Sequence, residues 1–200
     1  DYAKVASLQY GKLKQASAAE KTCAEAINRY QLETEAKKKT AQIDYVKMNS
    51  ILGKIALEKK DTAKALKYFE EALRLDKTAY EANAGAGEIA WARKKEEDLK
   101  KYYKQIYLST YDTLLSSKKE IANVYGRAAY VDANINKLQP SSYSYNVEKA
   151  LSFDSAQKEA VMLWPIVLIK GYSYQLNNKR KACLSMLDKA IRIYATDKEY

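Results

Sequence analysis

Few residues in this chain could carry chemistry. Histidine is absent, which removes the commonest general base, metal ligand and proton shuttle. The two cysteines, Cys23 and Cys183, are too few for a zinc site of the Cys₄ or Cys₂His₂ kind. Carboxylate pairs such as Glu70-Glu71 and Glu96-Glu97 are sequence neighbours. Adjacent residues on a helix diverge by about 100°, so neither pair converges as an acid and a base. There is no G-x-x-x-x-G-K-S/T phosphate loop and no G-x-G-x-x-G turn. The remaining nucleophile pairs are of the Ser–Lys or Thr–Lys kind, which only spatial proximity could single out. The expectation is a non-catalytic chain with no cofactor and no bound metal.

Binding is the chemistry left. Eighteen tyrosines stand against two phenylalanines, and the net charge is +10. Tyrosine interleaved with lysine could stack the bases of a single strand. Helical spacing of Tyr68, Tyr102-Tyr103, Tyr107, Tyr111, Tyr125 and Tyr130 argues instead for half-buried seams, where a ring packs and its hydroxyl stays wet. The charge excess sits at the two ends, in Lys37-Lys38-Lys39 and Lys179-Arg180-Lys181. Lysine far outnumbers arginine, which argues against bidentate phosphate or base reading. Nucleic acid is therefore the weaker partner class.

The elements that would position a binding surface repeat. Leu52-Gly53 becomes Ala86-Gly87, Ala65 becomes Leu99, Phe69 becomes Tyr103 and Ala72 becomes Ile106, all at an offset of 34 residues. A fixed period of this size marks a helical repeat array. Only two prolines and six glycines occur, so long helices are permitted. In the first unit Met48, Ile51, Leu52, Ile55 and Ala56 form an apolar stripe on a helix predicted over 43–58. Lys59-Lys60-Asp61 is the turn, with Asp61 or Thr62 capping a second helix to about Leu75. The second unit turns at Lys94 to Asp98.

Leu52-Gly53, Ala65, Phe69, Ala72-Leu73 and Leu75-Asp76 resemble the tetratricopeptide repeat (TPR) family. The resemblance implies antiparallel helices A and B that approach closely at Gly53 and Ala65. Asn49 and Lys77 stand where the family usually has a bulky residue and a proline. The clear repeats are 46–79 and 80–113. Weaker copies fall at 124–157 and 164–197, and a degenerate helix pair at 2–34. In the third copy Pro140 is expected in the turn and Ser141 or Ser142 as a cap. Some ten extra residues fall around 109–123 as a longer helix or a linker, and 37–42 as a connector. Pro165 is expected to kink or break its helix. The fourth copy rests on Gly171, Tyr174, Cys183, Leu187 and Ala190-Ile191, with Asn177-Asn178 as its turn.

The fold class expected is all-α: one right-handed α-solenoid of about four pairs over 1–200, its degenerate ends acting as caps. Cys23 and Cys183 then lie too far apart for a disulfide and read as buried thiols. The family's groove positions carry over to Lys47, Ser50, Lys54, Leu57 and Glu58. In the next unit they are Glu81, Ala84, Glu88, Trp91 and Ala92. In the third they are Tyr125, Ala128, Asp132, Ile135 and Asn136. Trp91 is both a hot-spot candidate and a seam candidate. The mixed signs of Lys54, Glu58, Glu81 and Glu88 argue against a carboxylate clamp. The function expected is a protein–protein interaction scaffold holding a helix or extended peptide. The alternatives are a basic, tyrosine-rich nucleic-acid binder and a structural part of an envelope assembly. No apolar run reaches the ~20 residues of a spanning helix. The chain starts at Asp1, which reads as a fragment or processed form and favours an exported or periplasmic location over the cytoplasm.

Overall fold

The structure is a computed structural model that describes residues 2–167, 184–185 and 187–192. Those residues are helical with intervening turns and contain no strand. The chain divides into two compact units, Asp1–Ser117 and Lys118–Tyr200. The division falls where the 34-residue phase is lost.

Unit 1 contains α1 (Tyr2–Ser7), α2 (Ala16–Leu32), α3 (Glu35–Glu58), α4 (Thr62–Leu75), α5 (Tyr80–Ala92) and α6 (Glu96–Tyr103). Each helix packs on the next, and α1 also packs on α3 and α3 on α5. Helices α1, α3 and α5 therefore form one layer. Helix α3 starts at Glu35, before the expected Ile43, so 37–42 is helix rather than connector. Its added turns are built of Ala, Lys, Glu and Gln, strong helix formers that extend a packed helix at little cost. Asp61 caps α4 by accepting the Lys64 N–H at 3.0 Å. Helix α6 stops at Tyr103, and a 3₁₀ turn, Ile106–Leu108, follows it. The expected inward positions Leu99, Tyr103 and Ile106 are all buried.

Close approach of the helices depends on glycine. The Phe69 ring of α4 is fully buried and lies over both Gly53 of α3 and Gly85 of α5, where a Cβ would overlap it. The residues 34 positions on copy half of this device. A Cβ on Gly87 would meet Tyr103 Cζ at 3.0 Å. Cys23 is buried in the α1–α2–α3 core, and burial pushes its thiol up to about 12. That places it far from the reactive thiolate range. Cys183 lies outside the described residues.

Unit 2 contains α7 (Lys118–Tyr130), α8 (Pro140–Phe153) and α9 (Lys158–Ile166), each packed on the other two. Pro140 is the first residue of α8 rather than a turn residue, and Gln139 holds the cap position instead of Ser141 or Ser142. Proline is preorganised for that first position because its missing N–H has no intrahelical partner to lose. Helix α9 runs through Pro165 without a break before it. Gly171, Tyr174 and Asn177-Asn178 lie outside the described residues. Leu187, Ala190 and Ile191 are helical, with Leu187 and Ile191 exposed.

One local geometry recurs at four helix ends among the described residues. Lys14, Lys60, Lys94 and Lys137 have positive φ, between 52° and 61°. This left-handed residue ends a helix by turning the following N–H back onto an earlier carbonyl. After Lys60 and Lys94 that bond is Asp61 N to Ala56 O and Lys95 N to Ala90 O. After Lys14 and Lys137 it is Gln15 N to Gln9 O and Leu138 N to Asp132 O, reaching one residue further back. The extra residue is absorbed in the π-helical segments Leu8–Lys12 and Val131–Ile135. These two helix ends therefore keep the same turn and are one residue longer.

Candidate functional site

The expected groove residues of unit 1 lie on α3 and α5, and three of them, Lys47, Lys54 and Glu81, touch a segment of the same chain. Residues 109–117 leave the 3₁₀ turn and lie against α5, α3 and the π-helical segment Leu8–Lys12 that follows α1. Tyr111 meets Tyr80 edge to face, with ring centres 5.7 Å apart. The Asp112 N–H donates to Glu81 Oε1 at 2.7 Å. The Asp112 carboxylate pairs with Lys47 Nζ at 2.6 Å, both side chains remaining partly exposed. Lys54 Nζ donates to Ser116 Oγ at 3.3 Å. Leu115 is 4% exposed and joins the core of Tyr10, Ile51, Ile55 and their neighbours. The Leu114 carbonyl packs directly on Gly11, where a Cβ would collide with it.

The segment carries its own turn. Asp112 Oδ1 accepts the Leu114 N–H at 2.9 Å. Its backbone carbonyl accepts the N–H groups of Leu115 and Ser116 at 2.9 and 3.0 Å. This side-chain-capped turn is typical of aspartate. It sets Asp112 and Leu115 towards the same helical layer. Beside the segment a cleft of about 520 Å³ remains, lined in part by Ile43, Val46, Lys47, Tyr80, Glu81 and Tyr111. Ile43, at its edge, is 81% exposed.

The other expected positions fall as follows. Ser50 is buried, and its hydroxyl donates to the Val46 carbonyl within α3 at 3.0 Å. Glu58 accepts from the Tyr10 hydroxyl at 2.7 Å, which ties α3 to the π-helical segment after α1. Glu88 is exposed. Trp91 packs edge to face on Tyr103 of α6 at 6.4 Å and 84°, so its ring sits at the seam of its own helix pair. In unit 2, Tyr125 is buried and packs edge to face on Tyr145 of α8. Asp132 accepts from Asn136 at 3.0 Å and from Asn146 at 3.5 Å. Burial raises its carboxyl above the ordinary range. Lys47, Lys54 and Glu81 thus gather about one segment, Ser50, Glu58 and Trp91 bond or pack elsewhere in unit 1, and Tyr125 and Asp132 hold unit 2 together internally.

Gly11, Asp112, Leu115 and Ser116 escaped the reading of the sequence, and Tyr111 was read only as a seam tyrosine. A signal was present in Leu114-Leu115, an apolar pair amid Ser, Thr and Asp in the stretch expected as a linker. No family model matches the chain, and no curated protein matches it significantly.

Glu81 bears the electrostatic cost of holding the segment. Burial is the main cause that raises its carboxyl above the ordinary value of 4.5, and Asp112 adds to it. The Asp112 N–H, its own backbone N–H and Lys54 pull it back down. A raised folded-state value means that the folded chain binds this proton more tightly than the unfolded chain. The associated stability is fully present below pH 4.5 and is lost as pH rises through the folded value. Glu81→Gln keeps the acceptor and removes the charge. The variant is expected to match wild type near pH 4.5 and to gain on it as pH rises to neutrality. Paired urea titrations across that range check this; parallel curves at every pH would rule it out.

Proposed function

We propose that this chain is a non-catalytic interaction scaffold, a right-handed solenoid of TPR-like helix pairs that binds a partner peptide on the α1–α3–α5 layer. One observation supports the reading above all. That layer already holds a non-helical stretch of polypeptide through an ion pair, a carboxylate–amide hydrogen bond, an aromatic contact and a buried leucine. A surface that grips peptide in this way has the elements of peptide recognition: a buried apolar anchor with polar groups fixing orientation. The glycine–ring packing of Gly53 with Phe69 and Gly87 with Tyr103 supports the repeat assignment. Burial of Tyr80, Tyr102, Tyr103, Tyr125 and Tyr143 favours a protein partner over a stacked nucleic acid.

Panning a displayed random-peptide library on the full chain tests the proposal. Peptides should be enriched whose affinity falls at least tenfold on Lys54→Glu and less on Trp91→Ala. An empty enrichment, or enriched peptides indifferent to Lys54→Glu, would remove the groove from consideration.

A further inference from the structure

The segment seated on the helical layer has the features of a ligand more than of a core element. It is non-helical, Thr113, Leu114 and Ser117 are exposed, and its ion pair to Lys47 is partly open to water. Only Leu115 and Ser116 are buried. We infer that residues 109–117 are an intramolecular ligand of the α1–α3–α5 layer, and that the same layer takes in trans a short turn-forming peptide with an aromatic residue, then aspartate, then leucine three positions later. The inference rests on the scaffold reading and names its ligand class and its regulation.

The spacing follows from the turn. Asp112 uses one carboxylate oxygen for Lys47 and the other for the Leu114 N–H. Closure of the turn then brings the residue three positions on, Leu115, back to the helical layer. There it joins the buried cluster that includes Tyr10, Ile51 and Ile55. The aromatic residue before the aspartate reaches Tyr80. Glutamate is one methylene longer, so it cannot hold the lysine and cap its own turn in the same geometry. The turn also restricts the free peptide, which lowers the ordering cost of binding. A partner segment must displace the resident one, whose local concentration is high because it is covalently attached. Its apparent affinity is reduced accordingly.

The test uses a fluorescein-labelled peptide copying residues 109–117, titrated by anisotropy against the full chain and against a Tyr111→Ala/Asp112→Ala chain. Tyr111 and Asp112 are only half-buried, and circular dichroism verifies that the helices remain. The double variant should bind the peptide at least ten times more tightly than wild type. A peptide with lysine in place of aspartate should not bind, because it loses both the ion pair and the turn cap, and adding Lys47→Glu to the variant chain should weaken the parent peptide at least fivefold. A glutamate peptide should bind at least fivefold more weakly than the parent. Should the variant fold poorly, excess peptide on the wild-type chain must still speed hydrogen exchange at the Asp112, Leu115 and Ser116 amides. Equal binding to both chains, or indifference to the lysine substitution, overturns the inference. If this peptide binds neither chain while library peptides bind and respond to Lys54→Glu, the inference fails and the scaffold reading stands. If nothing binds, both fail.

Discussion

Replacing Phe69 by alanine is expected to destabilise unit 1 by about 3–5 kcal/mol, the range for removing a fully buried aromatic ring. The ring is 0% exposed and fills the space that Gly53 and Gly85 leave open on two different helices. Its loss opens one cavity against α3 and α5 together. Glycine in a helix interior already costs roughly 1 kcal/mol against alanine, so both glycines are retained at a cost that only the ring justifies. A sign reversal follows. Gly53→Ala should destabilise wild type, because the new methyl overlaps the ring. In a Phe69→Ala background it should be neutral or stabilising, because the methyl enters the cavity and the helix gains propensity. Trp91 fluorescence in a Trp164→Phe chain reports unit 1 alone, which matters because two units need not unfold in one step. Additive effects of the two substitutions would show that Phe69 and Gly53 do not share the space.

The positions of this device were legible in the sequence because they repeat, but the family pattern assigns the close approach to Gly53 and Ala65, and the ring of Phe69 that fills it was not read. Gly53 with Phe69 and Gly87 with Tyr103 lie 34 residues apart, and each pair spans only one helix hairpin. The start of α3 was missed for the opposite reason. Its first turns lack an apolar stripe, and Ile43 points to water, so periodicity gave no sign of a helix that propensity alone supports. The ends fall out of register mainly because longer stretches join them, the extended start of α3 on one side and residues 109–117 on the other; Leu8–Lys12 and Val131–Ile135 absorb only a single residue each. A pattern search with a fixed period cannot follow such insertions. The groove positions Lys47, Lys54 and Glu81 were placed from the family pattern, but what they touch was not legible. Their contacts join residues 31 and 62 positions apart through a stretch with no periodicity. Gly11 is the clearest example. Nothing near it in sequence requires glycine; the requirement comes from the Leu114 carbonyl arriving from the far end of the unit.

Leu115→Ala is expected to cost about 2–4 kcal/mol, as for other buried leucines truncated to alanine. The loss should appear first as exposure of the segment: faster proteolysis near Thr113 and Leu114, and faster amide exchange at Leu115 and Ser116. The comparison that gives this meaning is Asp112→Ala. Its ion pair with Lys47 is short but partly solvated, with side chains 24% and 34% exposed, and such pairs contribute about 0–1 kcal/mol. The Asp112 N–H to Glu81 bond survives that substitution because it belongs to the backbone. The leucine should therefore carry most of the energy of docking, and the aspartate most of its selectivity. Gly11→Ala should resemble Leu115→Ala, since the added methyl displaces the Leu114 carbonyl and with it the neighbouring leucine. Equal costs for Asp112→Ala and Leu115→Ala in urea titrations would mean that the ion pair anchors the segment. A partner could then release it by competing for Lys47 alone. The expected inequality means that displacement requires a leucine of the partner's own in the buried cluster that includes Tyr10, Ile51 and Ile55.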